Sequence, residues 1–275
     1  MTNDLFEAIT KHGAAVNLST RAKLHLTGAD RVRYLNGQVT NDVRRVKADE
    51  ALYACVTDAK GRIAGDVVVH ATTDALLLDA EPALRESLSL RLERYIVADD
   101  VELTDVTEEW QLWHVWGATA PVGVKSARFG MPGVDVWLPV GETFEPACQV
   151  LNDEALETWR ILQKVPRWPH ELNAETFPPE AGLETRAMDF FKGCYIGQEV
   201  LSRIKTTGKM PREMIAFETE TAVNVGDEIC TDKTVGTVTS VTMHPVTGFT
   251  VGLGMVRQSA VGSDLTVSGT VLRRR

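Results

Sequence analysis

The 275-residue sequence predicts an α+β protein: two ferredoxin-like α/β lobes followed by a small C-terminal β-barrel. Three observations lead there. Residues 1–106 run through short strands and helices in a β-α-β-β-(β)-α-β order, the split βαβ theme. Residues 107–208 restate part of that order with no repeated sequence, which points to a pseudo-duplicated second lobe. Residues 209–275 break into short strands divided by turns, as small barrels and sandwiches do.

Each element has a local cause. AKLHLTG (22–28) alternates apolar and polar residues and suits a half-buried strand. Asp30 is expected to cap a short helix through Val32 and Leu35 that stops at Gly37. Two hairpins follow, turning at Asp58–Gly61 and near Thr73–Asp74. Pro82 opens an amphipathic helix with Leu84, Leu88, Leu92, Tyr95 and Ile96 on one stripe. VELTDV (101–106) closes the lobe as a strand.

In the second lobe WQLWHVWG (110–117) alternates as a strand, and RFGMPGVDVWLPV is expected to fold as a hairpin about Pro132–Gly133. Asn152 should cap a helix carrying Leu156, Trp159 and Leu162. Residues 164–182 contain Pro166, Pro169, Pro178 and Pro179 and cannot form a regular element. A loop of that length lines a site or is disordered. Trp168, Leu172 and Phe177 need something to pack on and favour the former.

Bulk properties narrow the function classes. A hydrophobic fraction of 44% and a charged fraction of 24% are ordinary for a soluble globular protein. No run approaches the roughly 18 apolar residues that span a bilayer. The polar, acidic N-terminus lacks the regions of a signal peptide, so a cytoplasmic location and no membrane partner are expected. A net charge of −9 disfavours nucleic acid, and Arg273–Arg275 reads as a solvated end. Cys55, Cys148, Cys194 and Cys230 form no CxxC pair and the six histidines no HExxH cluster, so no metal site is expected. Cys55, Cys148 and Cys230 fall in strand or helix patterns and read as core thiols. Without coiled-coil heptads, a monomer is expected.

FFKGCYIGQEVLSR (190–203) carries the strongest chemical signal. Cys194 stands between Gly193 and Gly197, two residues after Lys192 and just ahead of a helix beginning at Gln198. A helix N-terminus and a nearby ammonium both favour thiolate over thiol. The plainer reading is a buried structural cysteine, and composition leaves the two open. Glu199 and Arg203 are spaced i,i+4 on the following helix.

KGCYIGQEVLSR is similar to the KGCYxGQE signature of the YgfZ family of folate-binding proteins, within the superfamily of the glycine-cleavage T-protein, an aminomethyltransferase. LTGADRVRYLNGQVTNDV (26–43), YACVTDAKGRIAGDVVVH, PPEAGLETR and GTVTSVTMHPVTGFTVGLGMVR resemble further stretches of that superfamily, so the likeness covers nearly the whole chain. It implies a T-protein-like, three-lobed fold around a central channel that takes tetrahydrofolate or a one-carbon derivative. In that picture the proline-rich loop and the cysteine turn line the channel. The family supports iron–sulfur enzymes, which makes iron–sulfur client proteins or assembly machinery the implied partners. Its functional cysteine corresponds to Cys194. The aspartate by which the aminomethyltransferases steer their chemistry has no clean match in LLLDAEPALRES, where Asp79, Glu81 and Glu86 are the nearest carboxylates.

The candidate folate contacts are Glu171, Lys192, Tyr195, Gln198, Glu199 and Arg203. A carboxylate suits the adjacent N–H donors of a pterin, which would cost about 1–3 kcal/mol per group if buried unpaired. Glu171 and Glu199 are the two offered, though Glu199 serves equally as a surface partner of Arg203. Arg203 could otherwise fork a folate carboxylate. Lys192 reads either as a charge beside Cys194 or as a solvated lysine. Tyr195 and Trp168 could stack on the ligand or belong to the core. Asn36 and Gln38 read as structural groups at a helix end.

The leading expectation is a folate-binding accessory protein for iron–sulfur cluster assembly or repair. The alternatives are a folate-dependent aminomethyltransferase or demethylase, and a tRNA-related protein.

Overall fold

The computed structural model describes residues 1–117 and 120–275. In chain order the first elements are α1 (Asn3–His12), β1 (Ala14–Asn17), β2 (Ala22–Thr27), α2 (Arg31–Gln38), β3 (Leu52–Thr57), β4 (Ile63–Ala71), β5 (Leu76–Ala80), α3 (Arg85–Glu93) and β6 (Glu102–Asp105). Then come β7 (Trp110–Trp116), β8 (Val124–Ser126), β9 (Gly133–Pro139), β10 (Val150–Leu151), α4 (Asp153–Leu162), α5 (Glu184–Ala187) and α6 (Gln198–Thr207). The last region holds β11 (Arg212–Thr219), β12 (Glu228–Cys230), β13 (Thr234–Met243), β14 (Thr250–Arg257), β15 (Thr266–Val267), β16 (Thr270–Val271) and β17 (Arg273–Arg274).

They form three sheets, ordered β3-β4-β5-β2-β6, β10-β1-β7-β9-β8 and β16-β15-β12-β13-β14-β11-β17. The first sheet buries both faces. Val67 and Val69 of β4 face the core built on Leu84, Leu88 and Leu92. Strand alternation turns Asp66, Val68 and His70 the other way, toward the second lobe. That alternation creates the site.

Most local expectations hold, including both hairpin turns and the Asn152 cap, whose side chain accepts from the Ala155 N–H. Several need correction. Residues 3–17 do not complete the first lobe: β1 pairs with β7 and β10 of the second sheet. Its partners lie about a hundred residues away, beyond reach of local patterning. Asp30 precedes α2 but makes no capping bond; its carboxylate accepts from the Asp100 N–H and pairs with Arg33. Gly37 lies inside α2, which runs to Gln38. Tyr95 is exposed beyond the end of α3, stacked under Arg91. The 128–140 hairpin does not form, because Arg128–Gly130 make a 3-10 turn and β8, at 124–126, supplies the strand opposite β9. Cys148 lies outside any strand or helix.

The 164–182 loop is packed, as its aromatics suggested. Leu172 joins a cluster with Cys55, Ile63 and Leu183. Two buried carboxylates tie it to the barrel. Glu171 accepts from Thr239 Oγ1 at 2.7 Å and Ser240 Oγ at 2.6 Å, both on β13. Glu180 accepts from the Arg212 N–H at 2.8 Å and from the Phe177 N–H at 2.9 Å.

Candidate functional site: a walled cavity and an exposed thiol

A cavity of about 290 Å³ opens where the first sheet, the 126–129 segment and the proline-rich loop meet. Its floor is the second face of β4 and β3, with Asp66, Val68 and Tyr53. Trp168 forms one side. Asp66 is its unusual group. The Tyr53 hydroxyl donates to Asp66 Oδ2 at 3.0 Å, while the buried Oδ1 has no partner. Burial pushes the Asp66 carboxyl above the ordinary range, opposed by Arg21 and reinforced by Glu81. Tyr53 is raised well above the usual phenol value, first by burial and then by Asp66. A carboxylate oxygen buried in a cavity wall with no hydrogen-bond partner among the described residues is a group open to a ligand.

Arginines surround this acid, and most are committed. Arg21 pairs with Asp79 and Glu81. Arg128 binds Asp79 and Asp135 together, with His70 and His114 packed beside them, and so bolts the first lobe to the second. Those guanidinium contacts hold Asp79 and Asp135 below the usual carboxylate range despite their burial. Arg167 reaches Glu81 and Glu157. Arg186 differs. It lies 6.0 Å over the Tyr53 ring, and no carboxylate among the described residues pairs with it.

Of the residues read from sequence as possible ligand contacts, Trp168 lines this cavity, while Glu171, Lys192, Tyr195, Gln198, Glu199 and Arg203 are not among its lining residues. Glu171 is fully buried behind it, with Arg160 Nη1 donating at 2.8 Å and the Arg167 N–H at 3.1 Å in addition to the barrel hydroxyls. Glu199 and Arg203 are exposed and pair with each other at 3.7 Å. Gln198 is half-buried in the first turn of α6. Tyr195 is buried among Phe177, Met188 and Leu201; its hydroxyl has no partner, and burial raises the phenol to about 12. Asn36 accepts from the Val43 N–H and Gln38 from Arg91, both structural bonds.

Cys194 is exposed, so the buried-thiol reading falls. It precedes α6, whose N-cap Gly197 has φ 88°. A Cβ on Gly197 would stand 2.5 Å from the Asp58 carbonyl oxygen and 2.8 Å from Gly61 Cα, so the first hairpin turn needs glycine there. Gly193 meets nothing within 4 Å and carries no such demand. Lys192 is neither solvated nor a loose charge near sulfur. It is buried, donates to three backbone carbonyls, and is lowered by burial to about 8 against the pull of Asp42 and Asp189.

Sequence reasoning missed Asp66. The carboxylates considered from sequence lie on and just after β5, in LLLDAEPALRES, whereas the cavity carboxylate without a partner among the described residues stands on β4, inside the GRIAGDVVV run. An aspartate interrupting a run of buried strand residues was the available signal.

Comparison with known proteins agrees with this architecture. Residues 2–127 match the model of the GCVT N-terminal domain. The chain is 28% identical over 300 residues to an aminomethyltransferase of Rubrobacter xylanophilus, covering 93% of this chain and 79% of that one. It is 26% identical to a mitochondrial iron-sulfur cluster assembly factor IBA57 homolog of Phaeosphaeria nodorum, covering 72% of this chain and 53% of that one. It is 29% identical to the tRNA-modifying protein YgfZ of Sodalis glossinidius, covering 72% and 69%. The chain thus spans about half the length of the mitochondrial relatives it matches. The crystal structure of glycine cleavage system aminomethyltransferase T from Bartonella henselae superposes with a TM-score of 0.80 over 95% of this chain and 84% of that one, at 13% identity. The T-protein fold is therefore present. Residues 2–127 are similar to the GCVT N-terminal domain, and the chain as a whole is similar both to aminomethyltransferases and to a protein named YgfZ.

No helix among the described residues is long and apolar enough to cross a membrane, and no group of three or more His, Cys, Asp or Glu side chains there could hold a metal ion.

Proposed function

We propose that this protein is a folate-binding accessory factor for iron–sulfur cluster assembly or repair, with Cys194 as its working thiol. The exposed cysteine of the KGCYIGQE turn carries the reading, on a chain similar to named iron–sulfur assembly factors. Tetrahydrofolate fits the cavity by the chemistry of its lining. Asp66 Oδ1, buried without a partner, suits the polar edge of a pterin, and Trp168 offers an aromatic wall. Arg186, with no carboxylate partner among the described residues, suits the ligand's glutamate carboxylates. At about 290 Å³ the cavity lies at the lower edge of the ~300–1,000 Å³ typical of small-molecule sites, enough for the pterin end with the tail at the mouth. In this reading Asp66 takes the pterin-facing role expected of Glu171. Bound tetrahydrofolate would supply a one-carbon acceptor nitrogen; the chain would supply orientation and the Asp66 carboxyl beside it.

Two measurements test this. Titration calorimetry should detect tetrahydrofolate binding, and Asp66→Asn should weaken it at least tenfold, about 1.4 kcal/mol. Cys194→Ser should abolish rescue of a strain deficient in this function while leaving folate affinity within twofold. Full rescue by the serine variant would remove Cys194 from the function.

A second reading has one observation in its favour. An acid such as Asp66 beside a folate site is what one-carbon transfer requires. Sustained formation of methylene-tetrahydrofolate from an aminomethyl donor, lost in Asp66→Asn, would make the protein a transferase.

A further inference from the structure

Residues 187–196, which carry the thiol, are clasped onto residues 36–41. On one side Thr40 Oγ1 donates to the Ala187 carbonyl at 2.6 Å, and the Asp189 N–H donates to the Thr40 carbonyl at 3.0 Å. On the other side the Ile196 N–H donates to the Gly37 carbonyl at 3.2 Å. Lys192 lies between them. Its Nζ donates to the carbonyls of Asn36 at 2.6 Å, Val39 at 2.6 Å and Asn41 at 2.8 Å.

Those acceptors sit at and just beyond the C-terminal end of α2, where carbonyls lack intrahelical partners and the helix carries partial negative charge. An ammonium has three donors, and here three acceptors converge on it. No carboxylate among the described residues makes the contact: Asp42 and Asp189 attract the ammonium from longer range, Arg44 opposes them, and the Tyr195 ring centroid lies 5.0 Å away. Taking an ammonium out of water without a direct counter-ion is costly, and a methionine would fill the same space without that cost. Packing alone does not account for a lysine here.

We propose that Lys192 is the positioning residue of the Cys194 turn, a lysine plug that locks residues 187–196 to the end of α2. Two residues on, Cys194 stands exposed while its flanks are held. The Asn41 backbone carbonyl accepts from this plug and Asn41 also lines the cavity, so the Lys192 side chain ties the thiol's loop to the cavity wall. The inference deepens, and rests on, the reading of Cys194 as the working thiol.

Hydrogen exchange and thiol alkylation on the full chain test it without any ligand. In Lys192→Met, the Asp189 and Ile196 amides should exchange at least tenfold faster, with β14 amides unchanged within twofold. Iodoacetamide labelling of Cys194, read by peptide mass spectrometry against Cys230 in the same sample, should change at least threefold. Lys192→Arg keeps the charge but spreads its donors in a plane, a poorer match to carbonyls that converge on one ammonium, and it should fall between. Unchanged protection at 189 and 196 would overturn the proposal. So would a rise spread equally through β14, which would make Lys192 a general stability residue. If Cys194→Ser instead proved fully functional, the thiol reading would fall while the exchange result still decided whether Lys192 plugs the turn.

Discussion

The cavity and the cysteine turn place charge in opposite ways. Around the cavity, arginines and carboxylates from several distant segments cancel one another, leaving Asp66 Oδ1 and Arg186 without an ionic partner among the described residues. At the turn one buried ammonium donates to backbone carbonyls, and the Cys194 thiol stands in solvent. The difference separates selectivity from reactivity: a walled pocket can choose a ligand, while an exposed thiol on a pinned loop can meet a protein partner.

The largest test of that contrast lies in the wall. Glu171→Ala should destabilise the protein by about 3–5 kcal/mol in denaturant melts, because Arg160 would remain buried without that partner. A loss under 1 kcal/mol would mean the clamp is not what holds the loop to the barrel. The turn should answer next. Gly197→Ala should cost about 2–3 kcal/mol through its positive φ and the contact with Asp58, while Gly193→Ala should stay within about 0.5 kcal/mol. Equal effects would remove the asymmetry between the motif's two glycines.

A pH experiment sharpens the Lys192 side. Its folded-state pKa of about 8 lies below the ordinary lysine value of 10.5. Between those values the unfolded chain binds the proton and the folded chain does not, so this group's contribution rises with pH. The stability of the wild type relative to Lys192→Met should therefore improve as pH climbs from about 8 to 10.5. A flat difference would place the ammonium in contact with water. The smallest effect belongs to the surface of α6: Glu199→Ala should shift stability by no more than about 0.5 kcal/mol, since its partner is exposed.

Legibility in sequence follows the range of the forces involved. KGCYIGQE placed Cys194 before a helix because glycine hinges and helix starts are local. The two hairpin turns, the Asn152 cap and the packed proline loop were legible for the same reason. Lys192 was misread because its three partners lie about 150 residues away. Asp66 was passed over because a strand's alternation says that two faces exist without saying what the second one meets.

The sequence by itself determined the family likeness, the α+β fold class and the place of Cys194 before a helix, all carried by short-range patterns and a contiguous signature. Only the tertiary structure decided that β1 crosses to the second lobe, that Glu171 clamps a loop, that Lys192 plugs a helix end and that Asp66 faces a cavity. Those are long-range pairings of buried charge. Their partners are fixed by how three sheets meet, which no local window of residues contains.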